Sequence, residues 1–214
     1  HSNTVNNKIR QGKKVYDHQK MKVPEVLNLI EENDDFNIFI QDCQPASFLT
    51  ETEVLSFFKN LKMSDTVSQR VDTFCSDNNI GDHTAGIHLR TTDFGETHDY
   101  EGNYFPQMRN VLAKDPNTNF VVCSDDKEVE DLFKEKFGDK VCSPPKFEYV
   151  KKYDEDASWF DGSVAPRGYN VLITRESAIE AMVDIQILSR TGALVGDVSS
   201  TFFEVASLFQ KAGK

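Results

Sequence analysis

From Thr84 onward the chain changes period repeatedly: short apolar runs of strand length alternate with segments whose apolar residues recur at helical spacing. Thr84 to Leu89 and Asn119 to Ser124 are expected strands, and Ala193 to Val195 a third, buried one. Tyr104 to Lys114 and Lys127 to Phe137 are expected helices, the second ended by Gly138. Val141 and Phe147 to Val150 are short strand expectations around Pro144-Pro145. Thr174 caps a helix whose apolar face is Ile179, Met182, Val183, Ile185, Ile187 and Leu188. Gly196 to Ser200 is a turn, and Thr201 to Phe209 a closing helix. Strand, helix, strand, helix in this order predicts an α/β fold, a Rossmann-like doubly wound parallel sheet.

The first third differs. Residues up to about Pro24 are polar and without period, with Lys8, Lys13, Lys14 and Lys20, and read as a loose arm. A short helix is expected from Pro24 and a strand at Phe36 to Ile40. Thr50 or Thr52 can cap a helix from Glu53 to Leu61, and Ser64-Asp65 opens another with apolar Val67, Val71, Phe74 and Cys75. The expected division is residues 1–80, a mostly helical lead-in or remnant of a first domain, and residues 81–214, the α/β domain.

Composition narrows the classes of partner. A net charge of −11 argues against docking on nucleic acid or anionic lipid, since both need clustered Lys and Arg. No stretch is long and apolar enough to span a bilayer. Cys43, Cys75, Cys123 and Cys142 lack CxxC spacing; Cys123, beside Phe120-Val121-Val122, reads as a buried thiol, and the other three can pair or stay free. No Asn-x-Ser/Thr sequon occurs, which favours the cytoplasm over the Golgi or ER lumen. The opening His1-Ser2 reads as the scar of an expression tag, so targeting information is expected to have been cut away.

In a doubly wound sheet, ligands sit beyond the carboxyl ends of the strands. His88 and Arg90 share a face at the first such end, where Arg90 offers a planar cation suited to a diphosphate and Asp93 can orient it; a buried His and a surface ion pair are the plainer reading. Asp125-Asp126 can accept hydrogen bonds from a purine edge or ribose, hold Mn²⁺, or simply cap the next helix. The turn with Ser199-Ser200 offers hydroxyls and backbone N–H groups to a phosphate at a helix N-terminus, though it is also the ordinary way to join strand to helix. Asp184, among apolar residues, needs a partner or a ligand. Glu96, His98 and Glu101 in the loop Gly95 to Gly102 are general-base options, at least two of them expected to be merely solvated. The polar connection Tyr153 to Tyr169, with Trp159, Gly162 and Gly168, has the length of a functional loop.

Together these strand ends resemble the fucosyltransferase superfamily that includes nodulation and core α1,6-fucosyltransferases and protein O-fucosyltransferases. Gly86-Ile87-His88-Leu89-Arg90-Thr91-Thr92-Asp93 is similar to its His-x-Arg-Arg-x-Asp motif, and Val121 to Asp126 to its apolar strand ending in Thr-Asp-Asp. Asp184 to Ser189, leading to Leu194-Val195-Gly196 and Ser199-Ser200, follows the family's order. The likeness covers about Thr84 to Leu208, with a fainter echo in Phe57 to Phe74. It implies the donor domain of a two-domain GT-B enzyme that transfers fucose with inversion from GDP-fucose to a glycan or glycoprotein hydroxyl, without a metal or other cofactor. By position it implies Arg90 at the diphosphate, His88 and Asp184 on the donor, Asp125 and Asp126 at guanine or ribose, Ser199 and Ser200 at phosphate, and Glu96 or Glu101 as base. Thr91 stands where the α1,6 branch has a second Arg, and the family's glycine-rich first domain has no counterpart, so the chain is expected to be an excised C-terminal part or a reduced donor half. The competing readings are a non-catalytic nucleotide-sugar-binding module and a transferase holding Mn²⁺ on Asp125 and Asp126.

Overall fold

A computed structural model describes residues 50–91, 99–149, 172–196 and 200–213. The chain divides into two compact units, His1–Thr50 and Glu51–Lys214, and the elements below belong to the second. The helix and strand expected between Pro24 and Ile40, and the long connection Tyr153 to Tyr169, lie outside the described residues.

Two helices, α1 (Glu51–Asn60) and α2 (Asp65–Asp77), precede the first strand. Ser64 caps α2 by accepting a hydrogen bond from the Val67 N–H at 3.4 Å. Then follow β1 (Thr84–Leu89), a π-helical turn (Tyr100–Tyr104), α3 (Phe105–Lys114), β2 (Asn119–Ser124), α4 (Lys127–Phe137), a 3₁₀ turn (Gly138–Lys140) and β3 (Val141–Cys142). The chain ends in α5 (Arg175–Ser189), β4 (Ala193–Val195) and α6 (Thr201–Gly213). Thr174 and Ser177 cap α5 reciprocally, each side-chain oxygen accepting the other's backbone N–H. Gly138 follows α4 with a positive φ of 58°, the conformation expected of a glycine there. Of the two strand expectations around Pro144-Pro145, Val141 is met by β3. Phe147 to Tyr149 is not a strand: its polar groups are taken by side chains of α4, α5 and Thr174.

The four strands pair in parallel in the order β3-β2-β1-β4, the doubly wound α/β arrangement expected from the alternation. Each face of the sheet carries its own core. Ala85, Ile87 and Leu89 of β1, with Phe120 and Val122 of β2, pack on Phe105 and Met108 of α3 and Phe133 of α4. The alternate residues Val121 and Cys123 face Val183, Ile187 and Leu188 of α5, together with Val71 and Phe74 of α2 and Ala206 of α6. Burying both faces explains why the strands read as continuous apolar runs. Cys123 is completely buried, and Cys75, Cys123 and Cys142 are free thiols. Among the described residues no helix is long and apolar enough to cross a membrane.

Candidate functional site

Strand order turns back at β1, whose neighbours β2 and β4 are reached over opposite faces, and a cavity of about 430 Å³ opens beside its carboxyl end. Alternation along β1 sends Leu89 into one core and leaves His88 and Arg90 on the cavity side, as expected. His88 is buried and stacks on Phe202 in the first turn of α6, with ring centroids 4.3 Å apart and planes 7° from parallel. Arg90 lines the cavity half-buried.

The tip of β1 is tied to β2 by Asp125, which also lines the cavity. Its Oδ1 accepts hydrogen bonds from the Thr91 N–H at 2.8 Å and the Thr91 hydroxyl at 2.9 Å. Asp126 caps α4, its Oδ1 accepting from the Glu128 N–H at 2.8 Å, and it does not line the cavity. The capping reading of this pair is thus met by Asp126, while Asp125 ties the two strand tips together. Glu101 reaches Lys136 at 3.2 Å on an exposed surface, away from the cavity lining. Ser200 sits at the start of α6, where its carbonyl accepts from the Glu204 N–H at 3.0 Å; its buried Oγ has no partner among the described residues. Asp93, Glu96, His98 and Ser199 lie outside the described residues. Among the described residues no three His, Cys, Asp or Glu side chains converge as a metal site.

The cavity floor holds a charge cluster that sequence reasoning found only in part. Asp184, from α5, is buried, its Oδ2 3.1 Å from Lys146 Nζ, while its Oδ1 has no partner among the described residues. Lys146 also pairs with Glu130 of α4. Glu130 further accepts the Ser124 N–H at 3.0 Å and the Tyr149 hydroxyl at 2.7 Å. One cation thus faces two buried carboxylates. Among the described residues Glu130 has three donors and Asp184 has one, so Asp184 is the less compensated. Burial pushes its pKa up to about 7; Lys146 opposes the rise and Glu130 adds to it. Burial acts to lower the Lys146 pKa, but the carboxylates of Asp184 and Glu130 raise it overall, so the ammonium stays protonated.

The missed residues carried weak signals. Glu130 lies three positions before Phe133 and directly after Val129, on the buried face of α4, yet it is one of four acidic residues in that helix and reads as solvated. Lys146 follows a Pro-Pro pair in a segment without period. Nothing local marks Phe202 as a partner of His88.

The raised pKa of Asp184 has a consequence for stability. The folded protein holds this proton more tightly than the unfolded chain, so the ionised carboxylate costs stability above about pH 7, and the cost fades as pH falls toward the model-compound value of 3.8. Asp184→Asn is therefore expected to raise the melting temperature most at pH 8, with a gain that shrinks as pH falls and is lost only near pH 4. Thermal scans across that range check this, and a gain independent of pH would contradict it.

No protein-family model and no curated protein sequence matches the chain. Solved structures do. A NodZ α-1,6-fucosyltransferase soaked with GDP-fucose matches at 20% identity and a TM-score of 0.50, over 75% of this chain and 47% of that one. A NodZ α-1,6-fucosyltransferase co-crystallised with GDP matches at 19% and 0.52, over 87% and 56%. The chain shares the fold of these fucosyltransferases. It spans about half the length of the solved structures it matches. The observed fold agrees with the expected Rossmann-like doubly wound sheet, with its strands parallel and its cavity at the strand tips.

Proposed function

We propose that the cavity binds GDP-fucose and that the chain is the donor half of a metal-independent, inverting fucosyltransferase acting on a glycan or glycoprotein hydroxyl. The observation that carries this reading is the presence of Arg90 and of Asp184, with its unpartnered Oδ1, in the lining of one cavity at the strand tips. A guanidinium suits a diphosphate. A guanine edge presents two neighbouring donors, N1–H and the 2-amino group, which suit a buried carboxylate. The stacked His88 and Phe202 offer a flat wall to a planar or apolar group. Asp125, in the cavity lining at the tip of β2, would contact ribose. The fold likeness supports the same reading, because the matched structures were obtained with GDP-fucose and GDP.

As the bond to fucose breaks, charge grows on the diphosphate. Arg90 and, at the start of α6, the Ser200 hydroxyl and backbone N–H groups would meet that charge without a metal. Glu96 is then the preferred base, since Glu101 is engaged by Lys136 on the exposed surface. That engagement favours, as a second reading, a nucleotide-sugar-binding module that does not turn over. Release of GDP from GDP-fucose by the purified chain, with and without acceptor glycans, separates the two readings.

Calorimetric titration with GDP, UDP and GDP-fucose tests the binding itself. GDP is expected to bind about tenfold or more tighter than UDP, because uracil cannot give a carboxylate two adjacent donors. EDTA is expected to leave the affinity unchanged. Preference for UDP would remove the guanine assignment, and binding abolished by EDTA would overturn the metal-free mechanism.

A further inference from the structure

We infer that Lys146 is a positioning residue which holds Asp184 as an anionic hydrogen-bond acceptor toward the cavity. The inference rests on the nucleotide-sugar reading for its consequence, though not for its geometry. The lysine side chain is only 4% exposed and bridges Glu130 to Asp184. Glu130 is fixed to the end of β2 through the Ser124 N–H, so Lys146 is located by the sheet and not by solvent.

Its own segment leaves it little freedom. The Phe147 N–H donates to Glu180 at 3.0 Å, the Glu148 carboxylate accepts from the Thr174 hydroxyl at 2.6 Å, and the Tyr149 hydroxyl donates to Glu130. The ring of Tyr149 also lies 5.4 Å from Lys146 Nζ. Four successive residues are thereby stitched to α4, α5 and the cap of α5. With Oδ2 held by Lys146, Asp184 is left with a buried Oδ1 that has no donor among the described residues. A buried carboxylate oxygen without a donor is costly unless a ligand supplies one.

The charges around Asp184 come from every side. Glu130 on α4 and Glu180 on α5 are anionic and disfavour its ionisation, Cys123 lies behind it on β2, and Lys146 is the cation in direct contact. His88 and Arg90 of β1 line the same cavity. Without Lys146, Asp184 would face Glu130 and Glu180 with no contacting cation among the described residues and would take up a proton. It would then offer the cavity a hydroxyl where a guanine edge needs an acceptor.

The test has a ligand-free arm and a ligand arm. In ¹³C NMR of carboxyl-labelled protein, the Asp184 signal is assigned by its loss in Asp184→Asn, and its titration midpoint is followed with pH. Lys146→Met is expected to raise that midpoint by about one unit or more, and Lys146→Arg to leave it near wild type. An unmoved midpoint in folded Lys146→Met overturns the inference, whatever the ligand proves to be. Should Lys146→Met fail to fold, Lys146→Gln and Glu130→Gln replace it: the first is expected to raise the midpoint and the second to lower it, and equal midpoints overturn the inference.

With GDP as probe, Lys146→Met is expected to lose about tenfold in affinity at pH 7, with the loss shrinking toward pH 9. A purely structural role would lower the melting temperature and leave the pH profile of GDP binding unchanged, which counts against the inference. Wild-type protein that binds no GDP counts against the nucleotide-sugar reading alone, because the NMR midpoints still decide the role of Lys146.

Discussion

Replacing Gly192 with alanine is expected to lower the melting temperature by about 6–12 °C, a loss near 3 kcal/mol in a domain of this size. A Cβ at this position would lie 2.0 Å from the backbone carbonyl oxygen of Asp82 and 2.6 Å from its carbon. Relief cannot come from rotating a side chain, because the obstacle is main chain. The glycine itself cannot withdraw cheaply either: its N–H donates to the Gly81 carbonyl at 3.1 Å and the Thr84 carbonyl at 2.9 Å, the bonds that bring the chain into β4 beside β1. Because β4 leads into α6, whose Phe202 stacks on His88, the same substitution should also weaken ligand binding in whatever fraction stays folded. Gly213→Ala, where an added Cβ meets nothing within 4 Å, is the control and should leave the melting temperature unchanged. Equal melting curves for the two variants would show that the approach of Gly192 to Asp82 is not a constraint on the fold.

How far such features can be read from sequence depends on whether the cause is local. β1 and β2 are bounded where their apolar runs begin and end, because burial on both faces writes the strand directly into composition, whereas β4, expected as a buried strand, lies at the sheet's edge with Ala193 exposed and Leu194 and Val195 half-buried. The helix caps Ser64, Asp126 and Thr174 are legible for the same reason: donor and acceptor lie two or three residues apart. At the tip of β1, sequence pattern delivers His88 and Arg90 to one side of the sheet, but their neighbours depend on register between distant segments. Thr91 shows the difference. Its departure from the Arg of the α1,6 branch is visible at once, whereas its use as a two-fold donor to Asp125, 34 residues away, appears only when β1 lies beside β2. Asp184 illustrates a partial success. Its need for a partner follows from its apolar surroundings, but the partner, Lys146, sits in a segment with neither strand nor helix period, expected as strand in its continuation and found stitched to side chains instead. Glu130 was hidden by its company, since three further acidic residues in α4 are exposed or half-exposed and only one points inward.

Arg90→Ala is expected to weaken GDP binding by about 10- to 100-fold, the range for losing a charge-assisted hydrogen bond of about 1.5–3 kcal/mol. The melting temperature should change by no more than about 2 °C, because the residue stands beyond the strand and is only half-buried. The decisive comparison is between GDP and guanosine, measured by calorimetry at one ionic strength. If Arg90 serves the diphosphate, its removal weakens GDP and spares guanosine, and Arg90→Lys recovers only part of the loss because a point charge cannot reproduce the planar fork. Asp184→Asn should behave in the opposite way, weakening guanosine and GDP by similar factors, because its unpartnered Oδ1 is assigned to the base. If the two ends of the ligand are held independently, the double variant loses the product of the two factors; a smaller combined loss would mean that Arg90 and Asp184 act on the same ligand group. GDP binding unchanged in Arg90→Ala would move the diphosphate away from β1, and with it the reason for reading this cavity as a nucleotide-sugar site.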